Sequence, residues 1–120
     1  MKTRSLVPGV LGMFAASVAF AHPHLESSTP ASGAVQKQVS EIRLVFSEVV
    51  ETSLSSIRLE AGDEERAYVT PSAEPDKANS KALLLKPFEP LPTGKYVVRW
   101  TAVGSDGHPA RGSFSFIVSK

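Results

Sequence analysis

The chain contains three histidines, and their positions suggest chemistry. His22 follows Ala19-Phe20-Ala21, in which small residues stand at the two positions that a signal peptidase reads. Cleavage after Ala21 would make His22 the first residue, so that its α-amine and its ring Nδ1 could chelate one ion. Both groups titrate near neutral pH, and a divalent metal can therefore displace their protons. The alternative is that cleavage merely exposes a histidine that has no role.

A second candidate group is Asp106-Gly107-His108-Pro109, in a loop rich in glycine. Asp106 and His108 would present a carboxylate oxygen and an imidazole nitrogen on one side of an extended loop. The alternative is an aspartate that caps a turn beside a surface histidine. Together with the amine and ring of His22, the set comprises three nitrogens and one oxygen. It suits tetragonal Cu(II), and the Irving–Williams order favours Cu(II) over Zn(II) at such donors.

Sulfur ligands, which Cu(I) prefers, are absent from residues 22–120, because both methionines, Met1 and Met13, precede them and there is no cysteine. His24 suggests a different copper site, the four-nitrogen chelate of an amino terminus with histidine at its third position. That chelate needs the amide of the second residue, and Pro23 has no amide proton. We therefore interpret His24 as a neighbour of the site or an outer-shell residue.

The first 21 residues have the three-part layout of a secretory signal peptide. Lys2 and Arg4 precede the mostly apolar run of residues 6–18, which is shorter than the roughly 20 residues of a spanning helix. An uncleaved membrane anchor is the alternative. We expect residues 1–21 to be removed and residues 22–120 to form one exported domain.

The charge and cysteine content of residues 22–120 exclude two classes. Without Lys2 and Arg4, the 12 acidic residues outnumber the basic ones by one, for a net charge of about −1. No basic stripe remains that would suggest a nucleic-acid partner. The absence of cysteine means that the domain depends on an apolar core and not on disulfides.

The elements that must position these residues are predicted to be β-strands. Alternating or short apolar runs occur at residues 42–46, 57–60, 82–85, 96–100 and 114–118, and Pro or Gly separates them. This pattern predicts six or seven short strands in a Greek-key sandwich or barrel. Residues 47–56 are expected to form a loop or helical turn, and residues 72–81 a polar linker. Tyr96 is expected to bond back to nearby backbone as a tyrosine corner.

Longer segments of the chain resemble the CopC family of periplasmic copper-binding and copper resistance proteins. The similarity extends across nearly all of residues 22–120, through His22–Gly33, Leu44–Glu48, Leu91–Trp100, Ser105–Pro109 with Gly112, and Phe114–Val118. It implies an all-β, seven-stranded Greek-key barrel of immunoglobulin-like or cupredoxin-like appearance. It also implies a periplasmic location and a CopD-type inner-membrane protein as partner.

The resemblance implies that His22, Asp106 and His108 are the Cu(II) ligands. Glu48 is implied to be an outer-shell hydrogen-bond partner near the terminal amine; the alternative is a solvated residue at a strand end. Some family members also carry a Met-rich Cu(I) site in a central loop. Residues 22–120 lack methionine, so we expect a single copper(II) ion per chain.

The sequence is compatible with three functions. The first is a monomeric, non-catalytic periplasmic copper(II) carrier or buffer. The second is an oxidative enzyme with an N-terminal histidine copper site, as in lytic polysaccharide monooxygenases. Asp106 would occupy a coordination position that such enzymes leave open, and the domain has one Trp and two Tyr for a substrate surface, so we favour a non-enzyme. The third is a metal-free immunoglobulin-like module, which the fold alone does not exclude.

Overall fold

The computed structural model describes residues 22–120, so the expected leader and its cleavage site lie outside the described part of the chain. Within that part, no helix is long and apolar enough to cross a membrane. The chain there forms nine β-strands and one short 3-10 helix, at Thr52–Leu54. The strands are β1 (Leu25–Thr29), β2 (Val35–Gln36), β3 (Ile42–Phe46), β4 (Ser56–Ala61), β5 (Arg66–Tyr68), β6 (Glu74–Asp76), β7 (Asn79–Leu85), β8 (Gly94–Val103) and β9 (Pro109–Val118).

The strands form two sheets, which confirms the all-β sandwich expected from the sequence. One sheet has the order β1-β3-β7-β6 and the other the order β2-β9-β8-β4-β5. Only the hairpins β4–β5, β6–β7 and β8–β9 join neighbours within one sheet, so the other connections cross the sandwich. These crossings bring segments that are distant in sequence to the same end of the molecule.

All five apolar runs named above form strands, and the predicted loop at 47–56 contains the 3-10 helix. The sequence pattern did not identify β1, β2, β5 or β6. All four strands lie at the edges of their sheets, and none has more than five residues. Their side chains are mostly exposed or half-buried, and they therefore lack the alternating apolar signal that marks a core strand.

The core lies between the two sheets and contains the aromatic rings of Phe46, Tyr96, Trp100 and Phe116. Phe46 and Trp100 meet edge to face with ring centroids 5.1 Å apart, and Tyr96 stacks on Phe116 at 5.5 Å. Gly112 lies opposite Trp100 on β9, where a β-carbon would come within 2.7 Å of indole Cε2. The missing side chain at Gly112 makes room for the indole ring.

Tyr96 forms the predicted tyrosine corner. Its hydroxyl donates a hydrogen bond of 2.6 Å to the carbonyl of Pro92, four residues upstream. The Tyr96 side chain is otherwise almost completely buried, and the bond satisfies its one polar group. This contact fixes the turn that leads into β8, the longest strand together with β9.

Candidate metal centre

The segment that carries His22 is held against the sandwich by its next two residues. Pro23 is fully buried. The backbone N–H of His24 donates to the Ser47 hydroxyl at 2.8 Å, and the Ser47 N–H donates to the His24 carbonyl, also at 2.8 Å. These two bonds extend the pairing of β1 with β3, in which Leu25 lies opposite Phe46. The exposed His22 therefore projects from an anchored backbone.

Asp106 and His108 lie in the tight loop between β8 and β9. One carboxylate oxygen of Asp106 accepts the backbone N–H of His108 at 3.0 Å, and the other lies 3.2 Å from ring Nδ1 of His108. Gly107, between them, has φ +83°, a left-handed conformation that most side chains disfavour. The glycine thus allows the loop to reverse so that both functional groups face each other.

The base of this loop is fixed by residues that precede β4. Gly104 forms a β-bridge with Val50, and the Glu51 N–H donates to the carbonyl of Val103 at 2.8 Å. The Val103 N–H in turn donates to the hydroxyl of Ser55 at 3.0 Å. Three contacts therefore clamp the start of the loop, and Asp106 and His108 extend from a rigid base.

The fold brings the start of the described chain to this loop. The rings of His22 and His108 have their centroids 5.8 Å apart and are tilted by 53°. No group of three or more His, Cys, Asp and Glu side chains within residues 22–120 is arranged to hold a metal ion. Donors on one ion must each lie about 2 Å from it. The three predicted ligands are thus neighbours that need side-chain rotation to converge.

The backbone nitrogen of His22 has different chemistry before and after cleavage. In the precursor, His22 is joined to Ala21, so this nitrogen belongs to an amide. The lone pair of an amide nitrogen is delocalised into the carbonyl and is a poor metal donor. Cleavage after Ala21 would replace it with an amine, a donor that the precursor lacks.

Electrostatics at the loop favour an ionised carboxylate. The pKa of Asp106 is lowered, first by the hydrogen bond from the His108 backbone and then by that from its ring. Partial burial of the carboxylate opposes this shift without cancelling it. The Asp106 carboxylate is therefore ionised at neutral pH.

The two predicted outer-shell residues are near the site but make no side-chain contact with it in the described residues. Glu48 is half-buried directly after Ser47, and no hydrogen bond or ion pair forms on its carboxylate within residues 22–120. The His24 ring is exposed, while its backbone is paired with Ser47. Their outer-shell roles remain predictions.

Comparison with known proteins identifies the family. The model of the CopC domain matches residues 25–119. The chain belongs to the CopC family. Copper resistance protein C of Pseudomonas syringae pv. tomato is 38% identical over 111 residues, covering 89% of this chain and 88% of the relative. Copper resistance protein C of Escherichia coli is 34% identical over 125 residues, covering 96% and 95%.

A solved structure supports the same assignment. The crystal structure of PcoC, a methionine-rich copper resistance protein from Escherichia coli, aligns with a TM-score of 0.75 and 34% identity over 82% of this chain and all of that one. Unlike that methionine-rich protein, this CopC chain has only two methionines. Its only methionines are Met1 and Met13, before the domain.

Sequence reasoning recognised the ligand candidates but missed two residues that position them. In the sequence, Pro23 is notable only for the amide proton that it lacks, whereas in the structure it is also a buried anchor. Ser47 has no distinguishing feature in the sequence, although it binds His24 through both its N–H and its hydroxyl. No single-sequence signal reveals this pairing, because it depends on the register between β1 and β3.

Proposed function

We propose that the processed protein is a periplasmic copper(II) carrier or buffer that binds one ion at its new amino terminus. The donors are the α-amine and ring of His22, the Asp106 carboxylate and the His108 ring. The observation that carries the proposal is the approach of His22 to His108, 5.8 Å between ring centroids, beside the Asp106 carboxylate. Membership of a family whose matched members are named copper resistance proteins supports copper as the metal.

The donor set favours the oxidised ion. Imidazole, amine and carboxylate donors suit Cu(II), whereas Cu(I) prefers thiolates and thioethers. Residues 22–120 contain no sulfur atom, so a soft site has no ligand in the domain. The protein therefore holds copper in one oxidation state, and a CopD-type membrane protein is the partner that we infer for delivery.

The decisive experiment compares two amino termini. Protein that begins at His22 and protein with one additional alanine before His22 are titrated with Cu(II) in competition with a chelator of known affinity. The additional residue converts the amine of His22 into an amide, and we expect at least a tenfold loss of affinity and a changed electron paramagnetic resonance spectrum. Equal affinities and identical spectra would exclude chelation by the processed terminus.

Single substitutions separate the ligands from their neighbours. His108→Ala and Asp106→Asn each remove one proposed donor, and we expect each to weaken Cu(II) binding by about tenfold or more. His24→Ala is the matched control, because it removes a nearby exposed imidazole that we do not assign as a ligand. A larger loss with His24→Ala than with His108→Ala would contradict the assignment.

The carrier is proposed to be non-catalytic. Asp106 as a fourth donor fills a position that an oxygen-activating copper site would keep open. We expect the copper-loaded protein with ascorbate to consume oxygen no faster than the His108→Ala variant does. Rapid oxygen consumption that depends on His108 would favour the oxidative enzyme.

A further inference from the structure

The outer face of the five-stranded sheet carries a groove, apart from the metal centre, with a volume of about 540 Å³. Its side chains come from three adjacent strands, β4, β8 and β9, and combine arginines with hydroxyls. Cross-strand pairing arranges them in two rows, Ser56–Thr101–Arg111 and Arg58–Arg99–Ser113. Neighbouring strands lie about 4.8 Å apart, so the two rows span roughly 10 Å across the sheet.

Three arginines, Arg58, Arg99 and Arg111, line one groove of a domain whose net charge is about −1. Arg58 and Arg99 lie directly opposite each other, a like-charge pairing that destabilises a sheet unless it is neutralised. Glu60 supplies one carboxylate to both, at 3.1 Å from Arg58 and 2.8 Å from the Arg99 Nε. Arg58 and Arg99 are therefore neutralised by a carboxylate of the sheet itself.

Arg111 has no such internal partner. It is exposed, its cross-strand neighbour is Thr101, and it forms no ion pair with any residue of the described domain. Arg99 is bound by Glu60 and by Glu65 at 3.1 Å, yet its side chain is still 38% exposed. The row that contains Arg111 thus presents uncompensated positive charge.

We propose that this groove docks an acidic segment of a partner polypeptide, whose carboxylates pair with Arg111 and with the exposed part of Arg99. The hydroxyls of Ser56, Thr101 and Ser113 supply hydrogen bonds along the same segment. Arg111 follows His108 by three residues, so a docked segment lies next to the end of the sandwich that carries His22 and His108. The interaction itself does not depend on copper.

The shape of the groove favours a peptide over a compact anion. Its charges are spread across three strands, and the backbone N–H groups of the central strand β8 lie between two paired neighbours. Sites for a single phosphate usually surround it with free N–H groups at a helix terminus or in a nest. An anionic membrane would be recognised by a protruding basic surface, whereas these arginines lie in a groove of a domain with net negative charge.

The test uses the processed protein and a fluorescein-labelled peptide in which glutamate alternates with serine. We expect the glutamate peptide to bind at low ionic strength and the matching glutamine peptide not to bind. Arg111→Glu should weaken binding of the glutamate peptide by about tenfold, since it reverses one charge in the groove. Added salt should weaken the remaining interaction further.

Lys37→Glu is the matched control. Lys37 is exposed beyond β2 and forms no ion pair within residues 22–120. Lys37→Glu changes the net charge by the same amount as Arg111→Glu. We expect it to alter peptide affinity by less than twofold, and both variants should keep the wild-type circular dichroism spectrum and Cu(II) affinity. Equal losses in the two variants would overturn the proposal, because the effect would then come from net charge alone.

Three further results would each assign the groove to another occupant and overturn the proposal. The first is full competition by inorganic phosphate at the concentration of the peptide's carboxylates. The second is binding to phosphatidylglycerol vesicles that Arg111→Glu abolishes. The third is concentration-dependent self-association in sedimentation that Arg111→Glu abolishes, which would make a second copy of the chain the occupant.

Discussion

Ser47 holds His24 by a reciprocal pair of hydrogen bonds, each 2.8 Å long, and this pair fixes the backbone two residues after His22. The Ser47 hydroxyl accepts from the His24 N–H, while the Ser47 N–H donates to the His24 carbonyl. The contact extends the edge strand β1 toward the loop that carries Asp106 and His108. A side chain that is not among the proposed ligands therefore holds the backbone next to His22 in place.

Removal of the Ser47 hydroxyl should weaken copper binding without removing a ligand. Ser47→Ala leaves the His24 N–H without its acceptor, which costs about 1 kcal/mol of unfolding free energy. The backbone next to His22 is then held by one bond instead of two and must be ordered when the ion binds, so we expect Cu(II) affinity to fall several-fold. Chelator competition and urea denaturation measure the two effects. Ser27→Ala, an exposed serine of β1 with no side-chain hydrogen bond among residues 22–120, is the control and should change neither.

Copper affinity should decrease steeply with acidification. Binding displaces protons from the amine and the two imidazoles, so acidification from about pH 7 to pH 5 supplies protons that compete with Cu(II) for these nitrogens. The apparent Cu(II) affinity is expected to fall by well over tenfold across this range. Competition titrations at half-unit intervals would measure it, and a flat profile would show that these nitrogens are not the donors.

Glu60 should make the folded state sensitive to acid. Hydrogen bonding from Arg99 is the largest cause that lowers the pKa of Glu60 below its ordinary 4.5, and the charges of Arg99 and Arg58 lower it further. A carboxyl with a lowered folded pKa stabilises the fold above its unfolded pKa. This stability is lost as the pH falls from about 4.5 through the folded pKa.

The Glu60→Gln variant tests this linkage by thermal melting between pH 7 and pH 3. We expect it to be less stable than wild type at pH 7, because Arg58 and Arg99 then face each other without the Glu60 carboxylate that they share. The difference should shrink as the pH falls below 4.5. Glu89→Gln is the control, since Glu89 is exposed and unpaired among residues 22–120. A constant difference at all pH values would contradict the linkage.

The tyrosine corner should contribute measurably to folding. Tyr96→Phe removes the 2.6 Å hydrogen bond to Pro92 and leaves the ring in place on Phe116. The expected loss is about 1 kcal/mol in urea denaturation at constant m-value. Tyr68→Phe is the matched control, because the Tyr68 ring packs on Tyr96 while its hydroxyl has no hydrogen-bond partner in the described domain. Similar losses in both variants would show that the hydrogen bond to Pro92 is not the cause.

Much of the fold was predictable from local patterns. The strands at 42–46 and 96–100 alternate apolar and polar residues, and this period places one face in the core whatever the topology. The strands β2, β5 and β6 have only two or three residues each. Their pairing depends on neighbours that are distant in the sequence, so no local period reveals them.

The sequence by itself determined the chemistry available to this protein: imidazole and carboxylate donors, a histidine that cleavage after Ala21 would expose, and a domain without sulfur. These are properties of residue types and need no fold, although the cleavage itself remains a prediction. Only the tertiary structure decided that His22 approaches His108 and that three arginines share a groove. Strand register is set by contacts between distant segments, and a single sequence does not record such contacts.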